Sequence, residues 1–256
     1  MKGALPSISF NLRVMIASGN EDAGMADEKP AVQAFVEALW REGYAIVPNV
    51  LGETAIKNLT IGYADERAFR STITMSRYSY GSGEYRYYRY PLPGKVDELR
   101  HHWYRLLAPI ANLWNEATRL SERYPTDLDV YLASCHEKQQ QRPTPLILRY
   151  EQGDFNCMHQ DIYGQLAFPL QMTVGLSLPG TDYEGGETVL LEQAPRLQGR
   201  PVVLRLDRGA ALIFPNRYRP RKNKAQKWVR YNVRHGVAPV TRGKRYALGV
   251  IFHDAQ

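Results

Sequence analysis

The stretch at residues 229–252, VRYNVRHGVAPVTRGKRYALGVIF, indicates how the second half of the chain folds. Two runs rich in β-branched and aromatic residues, 229–238 and 246–252, flank a turn that contains Gly243. Such runs, bounded by turn residues, are typical of β-strands. This stretch is therefore predicted to form two strands joined by a short turn.

The same pattern extends backwards from this stretch. Further strand-like runs are LILRY (146–150), QMTVGLSL (171–178), ETVLLE (187–192), VVLRL (202–206) and AALIF (210–214). Many short strands separated by Gly, Pro or Asp favour a sandwich or jelly roll. Upstream, apolar residues recur at helical spacing from Pro30 to Trp40 and in 95–124. Between these, GYAIVPNVL (43–51) predicts a short strand and 53–59 a second helix. The predicted fold class is α+β and mainly β: a double-stranded β-helix (jelly roll) core with N-terminal helices packed on it.

The chain has 256 residues, which is enough for one sizeable domain. Residues 1–29 are predicted to be a flexible N-terminal tail and 30–256 a single domain. Within it, 30–145 would form a helical and Tyr-rich N-terminal part and 146–256 the jelly-roll core. No apolar run is long enough to span a membrane. The two cysteines are not spaced as a metal or disulfide motif, and the expected location is the cytoplasm.

A candidate metal site lies in MHQDIYG. His159 and Asp161 are two residues apart, so on a strand or its exit both side chains point the same way. With a second histidine they would complete a facial triad of two imidazoles and one carboxylate, and His235 at the end of a strand-like run can supply it. The chain has six histidines, so a His-x-Asp sequence alone is weak evidence.

Two further residues strengthen this interpretation. Arg245 lies ten residues after His235, across the turn and on the next strand, where it could form a bidentate salt bridge with a dicarboxylate cosubstrate. Tyr150 precedes His159 by nine residues and could offer its hydroxyl to the same ligand. Either residue alone could be purely structural. Together with the three metal-ligand candidates they point to a site for a metal and a dicarboxylate.

These motifs resemble a known superfamily. RYEQGDFNCMHQD (149–161), EGGETVLL (184–191), RGAALIFPN (208–216) and HGVAPVTRGKRYALGVIF (235–252) are similar in order and spacing to the iron(II)- and 2-oxoglutarate-dependent dioxygenases of the prolyl-hydroxylase-like branch. The resemblance implies that His159, Asp161 and His235 bind Fe(II), that Arg245 and Tyr150 bind 2-oxoglutarate, and that O2 is the cosubstrate. Many branches have lysine at the position of Arg245.

The N-terminal half carries a narrower resemblance. RSTITMSRYSYGSGEYRYYRYPLP (70–93) and HWYRLLAPIANLWNE (102–116) look like a bacterial oxygenase family linked to oxidative demethylation of damaged DNA. In the first segment tyrosines alternate with arginines, and Gly81 and Gly83 predict a turn. The segment could be a hairpin with half-buried tyrosines, or a stacking surface in which Tyr85 and Tyr87 contact a planar substrate.

A basic segment, 217–234, is the second candidate substrate surface. It holds eight basic residues and no acid, within a net charge of +7 for the chain, and it leads directly into His235. We therefore expect it near the mouth of the active site, where it would contact nucleic acid. The candidates are Arg221, Lys222, Lys224 and Lys227 for phosphates and Trp228 for stacking on a base. The simpler explanation is a solvated loop.

Three functions remain open from the sequence. The first is a C–H hydroxylating oxygenase that demethylates modified nucleic acid. The second is a hydroxylase of a peptidyl or free amino acid or another small molecule. The third is a metal-binding jelly roll that acts as a sensor without catalysis, against which Arg245 and Tyr150 argue. The sequence does not determine the substrate, the regioselectivity, the oligomeric state or the true start codon.

Overall fold

The computed structural model describes residues 28–256, with side chains from residue 33 onward. These residues contain four α-helices: α1 (Glu28–Arg41), α2 (Glu53–Gly62), α3 (Gly94–Ala117) and α4 (Leu128–Glu137). The strands are β1 (Ala45–Val47), β2 (Phe69–Thr74), β3 (Gly81–Ser82), β4 (Glu84–Tyr88), β5 (Leu146–Tyr150), β6 (Phe155–His159), β7 (Leu170–Gly175), β8 (Tyr183–Gly185), β9 (Thr188–Gln193), β10 (Gly199–Leu204), β11 (Ala211–Pro215), β12 (Tyr218–Lys222), β13 (Trp228–Val237), β14 (Val240–Gly243) and β15 (Arg245–Ile251).

Most strands form two antiparallel sheets. The seven-stranded sheet has the order β1-β11-β7-β15-β5-β4-β2, and the six-stranded sheet contains β10-β9-β13-β6-β3 with β12 paired to β13. A separate pair, β14-β8, lies beside them. The predicted mainly-β jelly roll with N-terminal helices is confirmed. The N-terminal part contributes more than helices, because β1, β2 and β4 extend the seven-stranded sheet.

Successive side chains of the central strands point to opposite faces of the seven-stranded sheet. One face packs against the helices, and the other faces the six-stranded sheet. On β7, Met172 and Val174 join the large core that the helices bury, which includes Trp103 of α3. The neighbouring residues Gln171 and Thr173 point the other way and line a cavity between the sheets. The helices thus fill one face of this sheet and leave the other free for a site.

Several predicted boundaries need correction. The helix predicted over 95–124 ends at Ala117, where the hydroxyl of Thr118 bonds to the carbonyl of Trp114 and Arg119 adopts a left-handed φ of 59°. Helix α4 was not predicted, although Asp127 caps its first turn. The predicted tail lies outside the described residues apart from 28 and 29, which begin α1. No helix in residues 28–256 is long and apolar enough to cross a membrane.

Candidate metal centre and adjoining cavity

Two neighbouring strands of the six-stranded sheet bring His159 and His235 together. His159 ends β6, and it is the direct antiparallel partner of His235 in β13. Their ring centroids are 4.1 Å apart. Asp161 follows β6, and its Oδ2 atom lies 3.1 Å from Nε2 of His235. One ligand atom from each residue lies within 4.8 Å of the others, so the three predicted metal ligands converge.

The electrostatics of this cluster suit a cation. Asp161 is 7% exposed, and no lysine or arginine pairs with it in the described part of the chain. Burial alone would raise the pKa of Asp161, but the two imidazoles outweigh burial and hold this pKa well below its usual value. Burial, and then the neighbouring ring of His159, lowers the pKa of His235. An anionic carboxylate and a neutral imidazole are the forms that bind metal ions.

The donor set also fits iron(II). Two imidazoles and one carboxylate form the facial triad that non-haem iron(II) oxygenases use, with coordination positions left open for other ligands. The Nδ1 atom of His235 is buried and lacks a hydrogen-bond partner among the described residues. This ring therefore has a nitrogen atom whose hydrogen bond no described side chain satisfies.

A cavity of about 150 Å³ adjoins the three residues and reaches across to the seven-stranded sheet. Arg245 begins β15 and is the ladder partner of Tyr150, which ends β5. Both line the cavity, with the guanidinium carbon 5.4 Å from the centroid of the Tyr150 ring. Arg245 is only 4% exposed, and its one side-chain hydrogen bond within residues 28–256 goes from Nη2 to the Thr188 hydroxyl at 3.3 Å. No carboxylate of the described chain neutralises it.

Two residues around the metal cluster, Tyr163 and Gln171, were not among the predicted site residues. The hydroxyl of Tyr163 donates to Oδ1 of Asp161 at 2.5 Å. Gln171 lines the cavity, and its buried Nε2 atom has no partner among the described residues. Tyr163 lies within the quoted MHQDIYG motif, two residues beyond Asp161, so the alternation used for His159 also predicts its direction. Gln171 carried no such signal.

The Tyr-rich segment forms a hairpin, and its two candidate residues line the same cavity. Strand β2 pairs with β4, which holds Tyr85 and Tyr87. Their rings meet edge to face at 5.4 Å, and Tyr87 is 8% exposed. At the rim, Tyr80 stacks on Tyr78 with centroids 6.0 Å apart, and both are exposed. Segment 70–93 therefore forms a hairpin with half-buried tyrosines, and the same tyrosines also line the cavity.

The basic segment forms the hairpin β12–β13, and its tip lies far from the triad. Lys227 and Trp228 are separated from His235 by most of β13, roughly 23 Å at about 3.3 Å per residue. The expectation that the tip lysines Lys222, Lys224 and Lys227 lie at the active-site mouth is therefore wrong, because the strand carries them away.

Other members of this hairpin already have partners. The guanidinium groups of Arg219 and Arg221 both contact Glu192 on β9. Trp228 packs on Trp40 of α1 with centroids 5.2 Å apart, and Lys222 lies over its ring. Arg221 and Trp228 thus each have a partner within the fold, while the Arg221 side chain stays 40% exposed, so contact of these residues with substrate stays a prediction.

Solved structures share this architecture. A prolyl-4-hydroxylase from Pseudomonas putida aligns with a TM-score of 0.52 and 14% identity, over 88% of this chain and 99% of that one. The 2-oxoglutarate-dependent epimerase SnoN from nogalamycin biosynthesis aligns with a TM-score of 0.50 and 15% identity, over 87% and 82%. At these identities the likeness concerns the fold, and it supports the jelly roll.

The fold and the donor set together define the class: this is an iron(II)- and 2-oxoglutarate-dependent oxygenase. Residues 83–255 match the family Oxygenase-NA, described as "Oxygenase, catalysing oxidative methylation of damaged DNA", and the chain belongs to that family. Two uncharacterized proteins from strains of Mycobacterium tuberculosis are 44% identical over 165 residues, 64% of this chain and 70% of theirs. The superfamily predicted from the motifs is confirmed, and the sensor without catalysis loses its support.

Proposed function

We propose that this oxygenase acts on a modified base of nucleic acid, with Fe(II) held by His159, Asp161 and His235. In this proposal Arg245 binds the distal carboxylate of 2-oxoglutarate and Tyr150 lends its hydroxyl. The observation that carries the cosubstrate assignment is the buried Arg245 guanidinium without a carboxylate partner, in the same cavity as the triad. A bidentate salt bridge from a dicarboxylate would satisfy it.

When bound, iron(II) with 2-oxoglutarate and O2 supplies the oxidising power to hydroxylate a C–H bond, and 2-oxoglutarate becomes succinate and CO2. The chain's own residues position the reactants and exclude water. Hydroxylation of an N-methyl group gives an unstable product that releases formaldehyde, so the net change is demethylation. Tyr80, Tyr85 and Tyr87 line the cavity, where they would contact a base that has left its stack.

The family description supports a nucleic-acid substrate, and the aromatic lining supports a planar one. Both cysteines are unpaired, with Cys135 buried and Cys157 exposed, in keeping with the cytoplasm as the proposed location.

The test measures succinate and formaldehyde together. The protein is supplied with Fe(II), ascorbate and 2-oxoglutarate, and with N-methylated single-stranded oligonucleotides, their unmethylated and duplex counterparts, or proline-containing peptides and free amino acids. We expect formaldehyde with the methylated single strand alone, in an amount equal to the succinate formed above the substrate-free level. Succinate production stimulated by peptides or amino acids, without formaldehyde, would replace this substrate class by the second one.

His159→Ala should abolish turnover of 2-oxoglutarate on every substrate. His101→Ala is the matched control, because His101 lies on α3 and bonds to Asp97 and Asp129 instead of the triad. Full turnover by the His159 variant would disprove the assignment of the metal ligands.

A further inference from the structure

A second cavity lies behind the segment that carries the metal carboxylate. Asp161 and Tyr163 line the metal cavity, whereas Ile162 and Gly164, one residue on in each case, line a larger groove of about 520 Å³. The segment 161–164 is therefore a wall one chain thick between the two spaces. Its other sides come from the end of α3, from the loop before α4 and from β12.

The groove is rich in arginine. Arg123, Arg217 and Arg230 line it, and Glu122 is the single acid among its lining residues. Arg217 and Arg230 are exposed, and neither has an acidic partner in the described chain. Arg219 also lines the groove, but Glu192 already neutralises its charge. The groove thus presents uncompensated positive charge, in contrast to the base of the same hairpin.

The two free arginines are held by an aromatic side chain. The guanidinium carbons of Arg217 and Arg230 lie 4.6 and 5.5 Å from the centroid of the Tyr218 ring. Tyr124 adds a second partly buried ring, and the Oδ1 atom of the buried Asn216 has no partner among residues 28–256. Cations ordered on aromatic faces beside an unused polar atom suit a strand with both phosphates and flat bases.

The groove is tied to the metal segment. Gln160, between two proposed metal ligands, donates through Nε2 to the carbonyls of Arg217 at 3.2 Å and Val233 at 2.8 Å. A strand lying on Arg217 is therefore adjacent to the residues that define the metal cavity.

We propose that this arginine groove binds single-stranded nucleic acid next to the base that enters the metal cavity, with phosphates on Arg217 and Arg230. The inference rests on the proposed function and gives it a binding surface other than the lysines of the hairpin tip. Each phosphate contact on a single strand releases counterions, so the logarithm of the binding constant falls with the logarithm of salt by about 0.7 per contact.

The experiment compares two double variants that remove the same charge from the same hairpin. Arg217→Ala/Arg230→Ala alters the groove, and Lys224→Ala/Lys227→Ala alters the exposed tip. Anisotropy of a fluorescent single-stranded oligonucleotide, titrated at several salt concentrations, gives the salt slope for each. We expect the groove variant to lose about 1.4 from the slope, and the tip variant to keep the slope of the unaltered protein. Circular dichroism and Tm verify that both variants fold.

Three results would contradict the proposal that the arginine groove binds single-stranded nucleic acid. They are equal slopes for both variants, tighter binding of duplex than of single strand, and no binding to the unaltered protein at low salt. Turnover of 2-oxoglutarate without substrate, measured on the same samples, separates this failure from that of the proposed oxygenase activity. Loss of oligonucleotide binding with intact turnover of 2-oxoglutarate would contradict the groove proposal alone. Intact oligonucleotide binding without turnover would contradict the proposed oxygenase activity at the metal site.

Discussion

Two buried arginines occupy opposite electrostatic situations. Arg219, at the base of the β12–β13 hairpin, is 1% exposed, and its Nε atom lies 2.5 Å from Oε2 of Glu192. Arg245, in the metal cavity, is 4% exposed; its guanidinium contacts the neutral Thr188 and Tyr150 and has no acidic partner among residues 28–256. Burying an unpaired charge is costly, so a chain retains one where a partner arrives from outside. The difference separates a structural ion pair from a buried charge without a counter-ion.

A third buried basic side chain avoids the problem by staying neutral. His253 is fully buried, and its Nδ1 atom accepts from the backbone N–H of Phe168 at 3.2 Å. Burial, and then the nearby charge of Arg100, lowers its pKa to about 4. Pairing, burial without a counter-ion and loss of charge are thus all present among the described residues, and each predicts a different response to mutation.

The largest effect should follow removal of Glu192. Glu192→Ala leaves Arg219 buried without its counter-ion, and we expect the free energy of unfolding to fall by about 3–5 kcal/mol in urea denaturation. Glu184→Ala is the control, because the Glu184–Arg242 pair is more than half exposed and should contribute less than about 1 kcal/mol. Equal losses in the two variants would remove the distinction between paired and unpaired burial.

Arg245→Met should reverse this pattern. Arg245 has no carboxylate partner among the described residues, so its removal leaves no buried carboxylate unpaired. The ligand-free variant should therefore unfold at the same urea concentration as the unaltered protein, or at a higher one. Its affinity for 2-oxoglutarate, measured calorimetrically with Mn(II) in place of iron, should fall about 100-fold as a bidentate pair is lost. Arg245→Lys should restore part of it. A stability loss as large as that of Glu192→Ala would reveal a hidden partner for Arg245.

His253 should make stability depend on pH. Its pKa is about 4 in the folded chain against 6.5 ordinarily, so protons favour the unfolded state as the pH falls below 6.5. This group should remove about 2 kcal/mol between pH 7.5 and pH 5, measured by urea denaturation. His253→Asn keeps an acceptor for Phe168 and should lack that portion of the decline. An unchanged pH profile in the variant would mean that the pKa of His253 is the same in the folded and the unfolded chain.

The smallest effect should follow a change beside the carboxylate of Asp161. Tyr163→Phe removes the hydrogen bond to Oδ1 of Asp161, and loss of such a support should weaken metal binding about tenfold. Co(II) titration followed by absorbance measures the affinity without turnover. Tyr80→Phe, which alters a rim tyrosine, should bind Co(II) as the unaltered protein does. Equal affinities in all three proteins would show that Tyr163 does not orient the ligand.

Local patterns predicted the strands well, and they also predicted which three side chains come together. The run at 146–150 coincides with β5, and the spacing of His159, Asp161 and His235 anticipated their convergence. Both depend on alternation within a strand and on turn residues, which a sequence displays directly.

Pairing between distant strands was not predictable in this way. Glu192 precedes Arg219 by 27 positions and meets it only through the register of β9, β13 and β12. The sequence therefore displayed a basic segment without acids, while the fold supplied the acid from another strand. For the same reason it did not reveal that Arg217 and Arg230 remain free beside Tyr218.

The metal cavity draws its residues from both sheets, and this division has a mechanical consequence. The two histidines belong to the six-stranded sheet, whereas Tyr150 and Arg245 belong to the seven-stranded one. A dicarboxylate that spans from the ion to Arg245 would link the two sheets through the bound ligand. Amide hydrogens of β5, β6, β13 and β15 should then exchange more slowly as a group once metal and cosubstrate are added, so that the reactant itself sets the rigidity of the sandwich.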